Sequence, residues 1–303
     1  MSLVPADLVV SVGSITDAAG RPSNEDSILV REIPVPGGIE GSSYLLAVAD
    51  GMGGHARGEV ASKMAVDLLA DLFLREPPAD VAASLKQAYR RANEAIHSHG
   101  LSTADHAGMG TTMVSAVVRG KYVTIANLGD SRAYLVRSRV LTQITQDHSV
   151  VGDKVARGQL TESEARTSQE RNLVTQALGL TESLDRRMPS IYELTLLPED
   201  RLVLCSDGFF DVLVNDDYLS LALTQNAQDA ASGLANLAKE RGTTDNVSAI
   251  VLEVGKSAAT VQRDVIGQEI ASQSTTNPLF VQLAIVVIVL LVAAIAAGLY
   301  FYL

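Results

Sequence analysis

Residues 44–54 read Tyr44-Leu-Leu-Ala-Val-Ala-Asp50-Gly51-Met-Gly-Gly54. An unbroken apolar run stops at an acid followed by three glycines among four residues. The run 44–49 predicts a strand buried on both faces, and Asp50-Gly51 predicts a turn. A carboxylate fixed at the tip of a buried strand also suits a hard metal ion. Choosing between plain turn and metal ligand depends on what the rest of the chain brings to the same place.

Upstream, 8–15 and 26–33 are rich in Val and Ile and predict two more strands, joined by a polar segment with Gly and Pro. Downstream, Val60, Met64, Leu68 and Leu72 recur every four residues, with Ala61, Leu69 and Phe73 beside them, which predicts a helix. Pro77-Pro78 interrupts the chain. Val81, Leu85, Ala88, Ala92 and Ile96 then mark a second helix. His97 and His99 near its end point to different faces and read as surface groups favoured by the helix dipole. From 111 to 145 four short β-rich runs (113–118, 122–127, 133–136, 140–144) are separated by turn-like residues and predict an antiparallel meander. Residues 146–187 are polar, with two short helices expected, and predict an excursion over something functional. Strands resume at 191–196 and 201–205, helices at 216–223 and 228–239, and a last strand at 247–254. Strands and helices in groups argue for an α+β fold: two antiparallel sheets packed face to face with helices outside.

The chain has 303 residues, 47% of them apolar, which is enough for one large domain. Its formal net charge of −11, without Trp and without a Lys/Arg stripe, argues against nucleic acid. The single cysteine, Cys205, excludes an internal disulfide and fits a reducing compartment. The N-terminus lacks the basic-then-apolar pattern of a secretory signal. Residues 255–278 are small and polar and read as a linker. Residues 279–302 are almost purely apolar, with Gln282 the only strongly polar side chain. At about 1.5 Å per residue they exceed the ~30 Å hydrocarbon core. The expectation is a single C-terminal transmembrane helix that anchors a cytoplasmic domain, 1–254, to the membrane.

Four acidic motifs stand at the ends of predicted strands: Glu25-Asp26, Asp50-Gly51, Ser206-Asp207-Gly208 and Asp245-Asn246. Like charges clustered at a sheet edge repel and raise one another's pKa, and a cation relieves this. Oxygen ligands without His or Cys point to Mg²⁺ or Mn²⁺ rather than Zn²⁺.

Seven motifs then occur in order: Arg21-x-x-Asn-Glu-Asp26, Asp50-Gly-Met-Gly-Gly-His55, Gly108-Met-Gly-Thr-Thr112, Gly129-Asp-Ser-Arg132, Asn172-x-x-Thr-x-Ala-Leu-Gly179, Ser206-Asp-Gly208 and Asp245-Asn246. Together they resemble the metal-dependent type 2C (PPM-type) protein serine/threonine phosphatases, in the bacterial style, over residues 8–253. The resemblance implies a four-layer αββα sandwich carrying two Mn²⁺ or Mg²⁺ ions. By it, Asp50 bridges both ions and the Gly51 carbonyl binds one. Asp207 and Asp245 hold the other, and Asp26 and Glu25 act through water. Asp130 matches the acid of a third metal, Arg21 the arginine that grips the substrate phosphate, and 146–187 the flap. Two cations and a guanidinium suit a phosphomonoester dianion, and the attacking species is then an activated water. The implied partners are phosphoproteins, among them a serine/threonine kinase, and the lipid bilayer.

Met52 departs from the eukaryotic pattern, which has a histidine there thought to act as general acid. His55 is the nearby candidate for that role; its plain reading is a helix-start residue. Gln176 replaces an arginine common in the family. Cys205 does not fit a cysteine phosphatase, because position 211, where an Arg is needed, is Asp211. The competing functional readings are a sporulation- or stress-type regulator phosphatase and a catalytically dead, membrane-tethered phosphoprotein-binding module. A missing acid would favour the second, and none is missing.

Overall fold

Eleven strands and seven helices are found among the described residues of the computed structural model, which are 8–34, 43–53, 56–75, 78–102, 108–224 and 226–255. The chain begins with β1 (Val9–Asp17), β2 (Asp26–Glu32) and β3 (Ser43–Met52), followed by α1 (Ala56–Arg75) and α2 (Val81–Ser102). Then come β4 (Gly110–Thr111), β5 (Met113–Arg119), β6 (Tyr122–Leu128), β7 (Arg132–Arg137) and β8 (Val140–Gln143). Two short helices, α3 (Val150–Ala156) and α4 (Glu162–Thr167), lead to β9 (Ser190–Thr195) and β10 (Arg201–Cys205). The last elements are α5 (Asp207–Phe210), α6 (Asn215–Thr224), α7 (Ala227–Glu240) and β11 (Val247–Gly255).

The strands form two antiparallel sheets, ordered β1-β11-β10-β7-β8 and β2-β3-β5-β6-β9, with β4 attached to β3. Three apolar layers result. Strand β3 shows how its sequence serves two of them at once, because successive side chains point to opposite faces. Leu46 and Val48 enter the core between the sheets, beside Leu202, Leu204, Ile250 and Leu252. Leu45, Ala47 and Ala49 enter the core under α1 and α2. The third core lies between the first sheet and α5–α7. The expected order of helices, sheet, sheet and helices is therefore present.

The stripe of α1 is turned by one residue from the expected one. Ala61, Ala65, Leu69 and Phe73 are the fully buried line, and Val60, Met64, Leu68 and Leu72 flank it. Both lines have the same four-residue period, so only contact with the sheet separates them. Burying Leu69 and Phe73 contributes about 1.5–3 kcal/mol each. On the other face of the sandwich, α7 lies so close to β1 that a Cβ on Gly13 would stand 2.3 Å from the backbone of Gln228. A glycine in that strand is what permits the approach.

Two expectations need correction. The four runs between 111 and 145 are not one meander. β5 and β6 pair with each other in the second sheet, while β7 and β8 belong to the first. The chain changes sheet at Gly129-Asp130, where Gly129 has φ 108°. Each hairpin alone satisfies the period-two pattern, so the pattern cannot reveal the crossing. Asp50-Gly51 is also not a turn. β3 runs on through it, with Gly51 opposite Thr111 and Met52 opposite Gly110. No helix among the described residues is long and apolar enough to cross a membrane. The expected transmembrane segment 279–302 and the linker 255–278, apart from Gly255, lie outside the described residues.

Candidate active site

Strand pairing brings the first two acids together, with Asp26 directly opposite Asp50 on β2 and β3. Asp50 is fixed by its backbone. Its carbonyl accepts from Thr112 N at 2.9 Å and Thr111 Oγ1 at 2.8 Å, and its N–H donates to Thr112 Oγ1 at 3.2 Å. Thr112 in turn bonds Ser131 at 2.7 Å, which ties the Asp50 strand to the loop carrying Asp130. Gly51 is packed too closely for any side chain. A Cβ there would lie 2.2 Å from the Gly58 carbonyl oxygen in α1 and 2.5 Å from that of Glu25. A Cβ on Gly58 would meet Glu25 Oε2 at 2.1 Å. Two glycines thus let the start of α1 rest on the acid cluster.

The other acids arrive from the first sheet. Asp207 opens α5 directly after β10, with Ser206 at the N-cap position. The Ser206 hydroxyl does not cap the helix; it donates to Asp26 Oδ2 at 2.8 Å, joining the two sheets. Asp245 precedes β11. Its neighbour Asn246 accepts from Glu25 N at 2.8 Å and donates to the carbonyls of Ala18 and Ser23. One amide side chain thereby sets both the Glu25-Asp26 and the Asp245 loops. Ser206, Thr112 and Asn246 stood in the sequence motifs without a role. Their signal was a small polar residue beside each acid, which pattern alone cannot assign.

Arg21, Glu25, Asp50, Gly51, Asp130, Asp207 and Asp245 line one cavity of about 200 Å³, with Met52, Thr112, Asn172, Val174 and Asn246. Every metal-ligand and phosphate-binding residue expected from sequence is on that wall except Asp26, which sits buried behind it. His55 lies outside the described residues. Arg21 Nη2 donates to Asp245 Oδ2 at 2.7 Å, and its Nε to the Thr244 carbonyl at 3.2 Å. The expected phosphate-gripping group is therefore held at the cavity rim by an acid of the cluster.

The electrostatics are those of a cation site. Burial pushes the Asp26 carboxyl up to about 6, and the charge of Asp245 adds to this. Burial pushes Asp130 up to about 7, with Asp147 adding. Asp50 and Asp207 are raised well above the usual carboxylate range, first by burial and then by the surrounding aspartates. Asp26 Oδ1 is buried without a hydrogen-bond partner. An orphaned buried carboxylate oxygen beside three raised acids fits a divalent cation better than any neutral ligand. Among the described residues no three His, Cys, Asp or Glu side chains close into a finished cage. Uncompensated carboxylates repel, and Mg²⁺ in particular keeps several waters and needs few protein oxygens. The donor set fits the expected ions.

Other candidates fall away. The Cys205 thiol is buried and pushed up to about 12 by burial, the opposite of a nucleophile's environment. His97 is not a solvated surface group: its Nδ1 lies 3.0 Å from the Gly179 carbonyl oxygen, which it can reach as donor. That contact and the bond from Gly179 N to Asn93 Oδ1 at 2.9 Å hold the end of the Asn172–Gly179 motif against α2. His148 Nδ1 accepts from Gly129 N at 3.1 Å, which leaves Nε2–H to donate to Ser190 at 3.1 Å.

The model of one protein family, described as protein phosphatase 2C, matches residues 16–247. The serine/threonine protein phosphatase PstP of Mycobacterium tuberculosis is 36% identical over 234 residues, 77% of this chain and 43% of PstP. The chain thus spans under half the length of that relative. The serine/threonine phosphatase stp of Listeria monocytogenes is 33% identical over 215 residues, 69% of this chain and 84% of stp. Among solved structures, the catalytic domain of PstP in complex with two manganese ions superposes with a TM-score of 0.71 at 35% identity. That match covers 82% of this chain and all of the other.

Proposed function

Because the chain belongs to the protein phosphatase 2C family, we propose that it hydrolyses phosphoserine and phosphothreonine in proteins with two Mn²⁺ or Mg²⁺ ions. The observation that carries this reading is the convergence of Asp50, Asp130, Asp207 and Asp245 with Arg21 on one cavity. Asp50, the Gly51 carbonyl, Asp207 and Asp245 would hold the ions, with Asp26 and Glu25 acting through water and Asp130 at a third position. Bound cations supply charge neutralisation for a phosphate dianion and a lowered pKa for attacking water. The protein's own part is positioning. Thr111 and Thr112 fix Asp50, Ser206 fixes Asp26, and Asn246 fixes the loops of Glu25 and Asp245. Arg21 offers a planar set of donors that matches phosphate oxygens. No nucleophilic side chain is required, and Cys205 is buried away from the role.

The decisive experiment is release of phosphate from p-nitrophenyl phosphate and from a phosphothreonine peptide with Mn²⁺. Wild type should be active, and Asp50→Asn and Asp207→Asn should lose the activity by orders of magnitude. A metal-loaded wild type that leaves both substrates intact overturns the reading.

The apolar stretch 279–302 supports a membrane anchor, with the phosphatase domain on the cytoplasmic side. The phosphoprotein substrates, a serine/threonine kinase among them, would then be met at the membrane surface. The full chain should resist alkaline carbonate extraction from membranes, and a chain truncated after residue 278 should be released and keep its activity. Release of the full chain would disprove the anchor.

A further inference from the structure

A second cavity of about 300 Å³ adjoins the acid cluster and shares Asp130 with it. It lies between β7 and β8, the helices α3 and α4 and the α5 turn. Its floor is fixed and electrically closed. Arg132 holds Asp147 through Nε and Nη2 at 2.6–3.0 Å, bonds Tyr134 at 2.9 Å, and lies 3.7 Å over the Phe210 ring. Val151, Val155 and Ala165 give it apolar walls.

One cation of the rim is not closed in the same way. Arg166, in the last turn of α4, has its Nε buried without a hydrogen-bond partner. Arg171 is held in an ion pair with Asp211 at 3.6 Å. Of the acids of this cavity, Asp147 is taken by Arg132, Asp211 is paired with Arg171, Asp130 belongs to the metal wall, and Glu162 is exposed at the start of α4. A buried guanidinium N–H without an acceptor in the protein is free to take one from a bound group or water.

We infer that this cavity is a specificity subsite that binds an anionic side chain of the phosphoprotein, a carboxylate or a second phosphate, near the residue being dephosphorylated, with Arg166 as its recognising group. The inference rests on the phosphatase reading, since that reading puts the scissile phosphate on the other side of Asp130. Apolar walls on α3 and α4 hold the peptide backbone's neighbours, and the guanidinium selects charge. The segment 146–187 is then a reader of substrate sequence rather than a cover.

The test uses the full chain with Mn²⁺ and phosphothreonine peptides with alanine flanks. Aspartate, phosphoserine or lysine is placed in turn at each of the three positions on either side. Wild type should show at least one position where an anion raises kcat/KM fivefold or more, mainly through KM. Arg166→Ala should bring that gain to within twofold, and Arg166→Glu should favour lysine at the same position. A gain from aspartate identifies a carboxylate reader, and a gain from phosphoserine alone a dianion reader. Wild type indifferent to anions at every position, or a gain that survives both substitutions, overturns the proposal. Fluorescence anisotropy of the same labelled peptides compares binding without turnover. Discrimination without any hydrolysis would therefore sink the phosphatase reading and leave the subsite standing.

Discussion

Arg21 carries two assignments, and its surroundings separate them. Its ion pair with Asp245 is half exposed, the side chains being 51% and 34% accessible. Such pairs contribute about 0–1 kcal/mol to stability, so the pair is not there to hold the fold. Arg21→Ala should leave the thermal midpoint nearly unchanged and raise KM more than it lowers kcat. A collapse of kcat alone would mean that the guanidinium serves the transition state and not phosphate binding. The acids themselves were legible in the sequence, because a carboxylate at the end of an apolar run is conspicuous. Their supporting groups were less so. Ser206 looks like a helix cap, and only the contact between sheets shows that its hydroxyl goes to Asp26. Asn246 looks like the second half of a turn, and only the fold shows it bonding three backbone groups from residues 18–25.

At the scale of elements, periodicity located most strands and helices to within a residue or two, missed the short β4 and α5 and the end of β3, and failed where two elements share one pattern. The stripe of α1 and the splitting of the presumed meander are both of this kind. The Asp50-Gly51 strand is a third case: turn-forming residues remain extended because β4 pairs with them and α1 presses on Gly51. The Asn172–Gly179 motif makes its own prediction. Gly179 has φ 87°, and a Cβ there would lie 2.3 Å from Ile96 Cγ2. Gly179→Ala should therefore destabilise by about 2–3 kcal/mol, combining left-handed strain with overpacking. Thermal denaturation would register this as a midpoint lowered by several degrees, and an unchanged midpoint would show that α2 yields to the intruding methyl.

At the scale of the molecule, the site sits where both sheets end, so its acids belong to separate elements forced together by packing between sheets. That has a measurable consequence. In the metal-free protein burial pushes the Asp26 and Asp130 carboxyls up to about 6 and about 7. Between pH 4 and 7 the folded state binds more protons than the unfolded one, so stability falls as pH rises. The metal-free protein should melt higher at pH 5 than at pH 8, by roughly a few kcal/mol in stability. Saturating Mn²⁺ should reverse the trend, because it binds only the deprotonated acids, and Asp50→Asn should blunt that reversal. A metal-free midpoint that rises from pH 5 to 8 would contradict the raised values. The sequence by itself determined the α+β class, the strands and helices, the acids and the order of motifs that announce the family. These are local or sequential properties, written in period, composition and spacing. The tertiary structure alone decided that Asp26 stands opposite Asp50, that the chain changes sheets at Gly129-Asp130, and that a half-buried Arg166 faces a second cavity. Those facts depend on which faces meet across a core, and side-chain alternation is the same whichever sheet a strand joins.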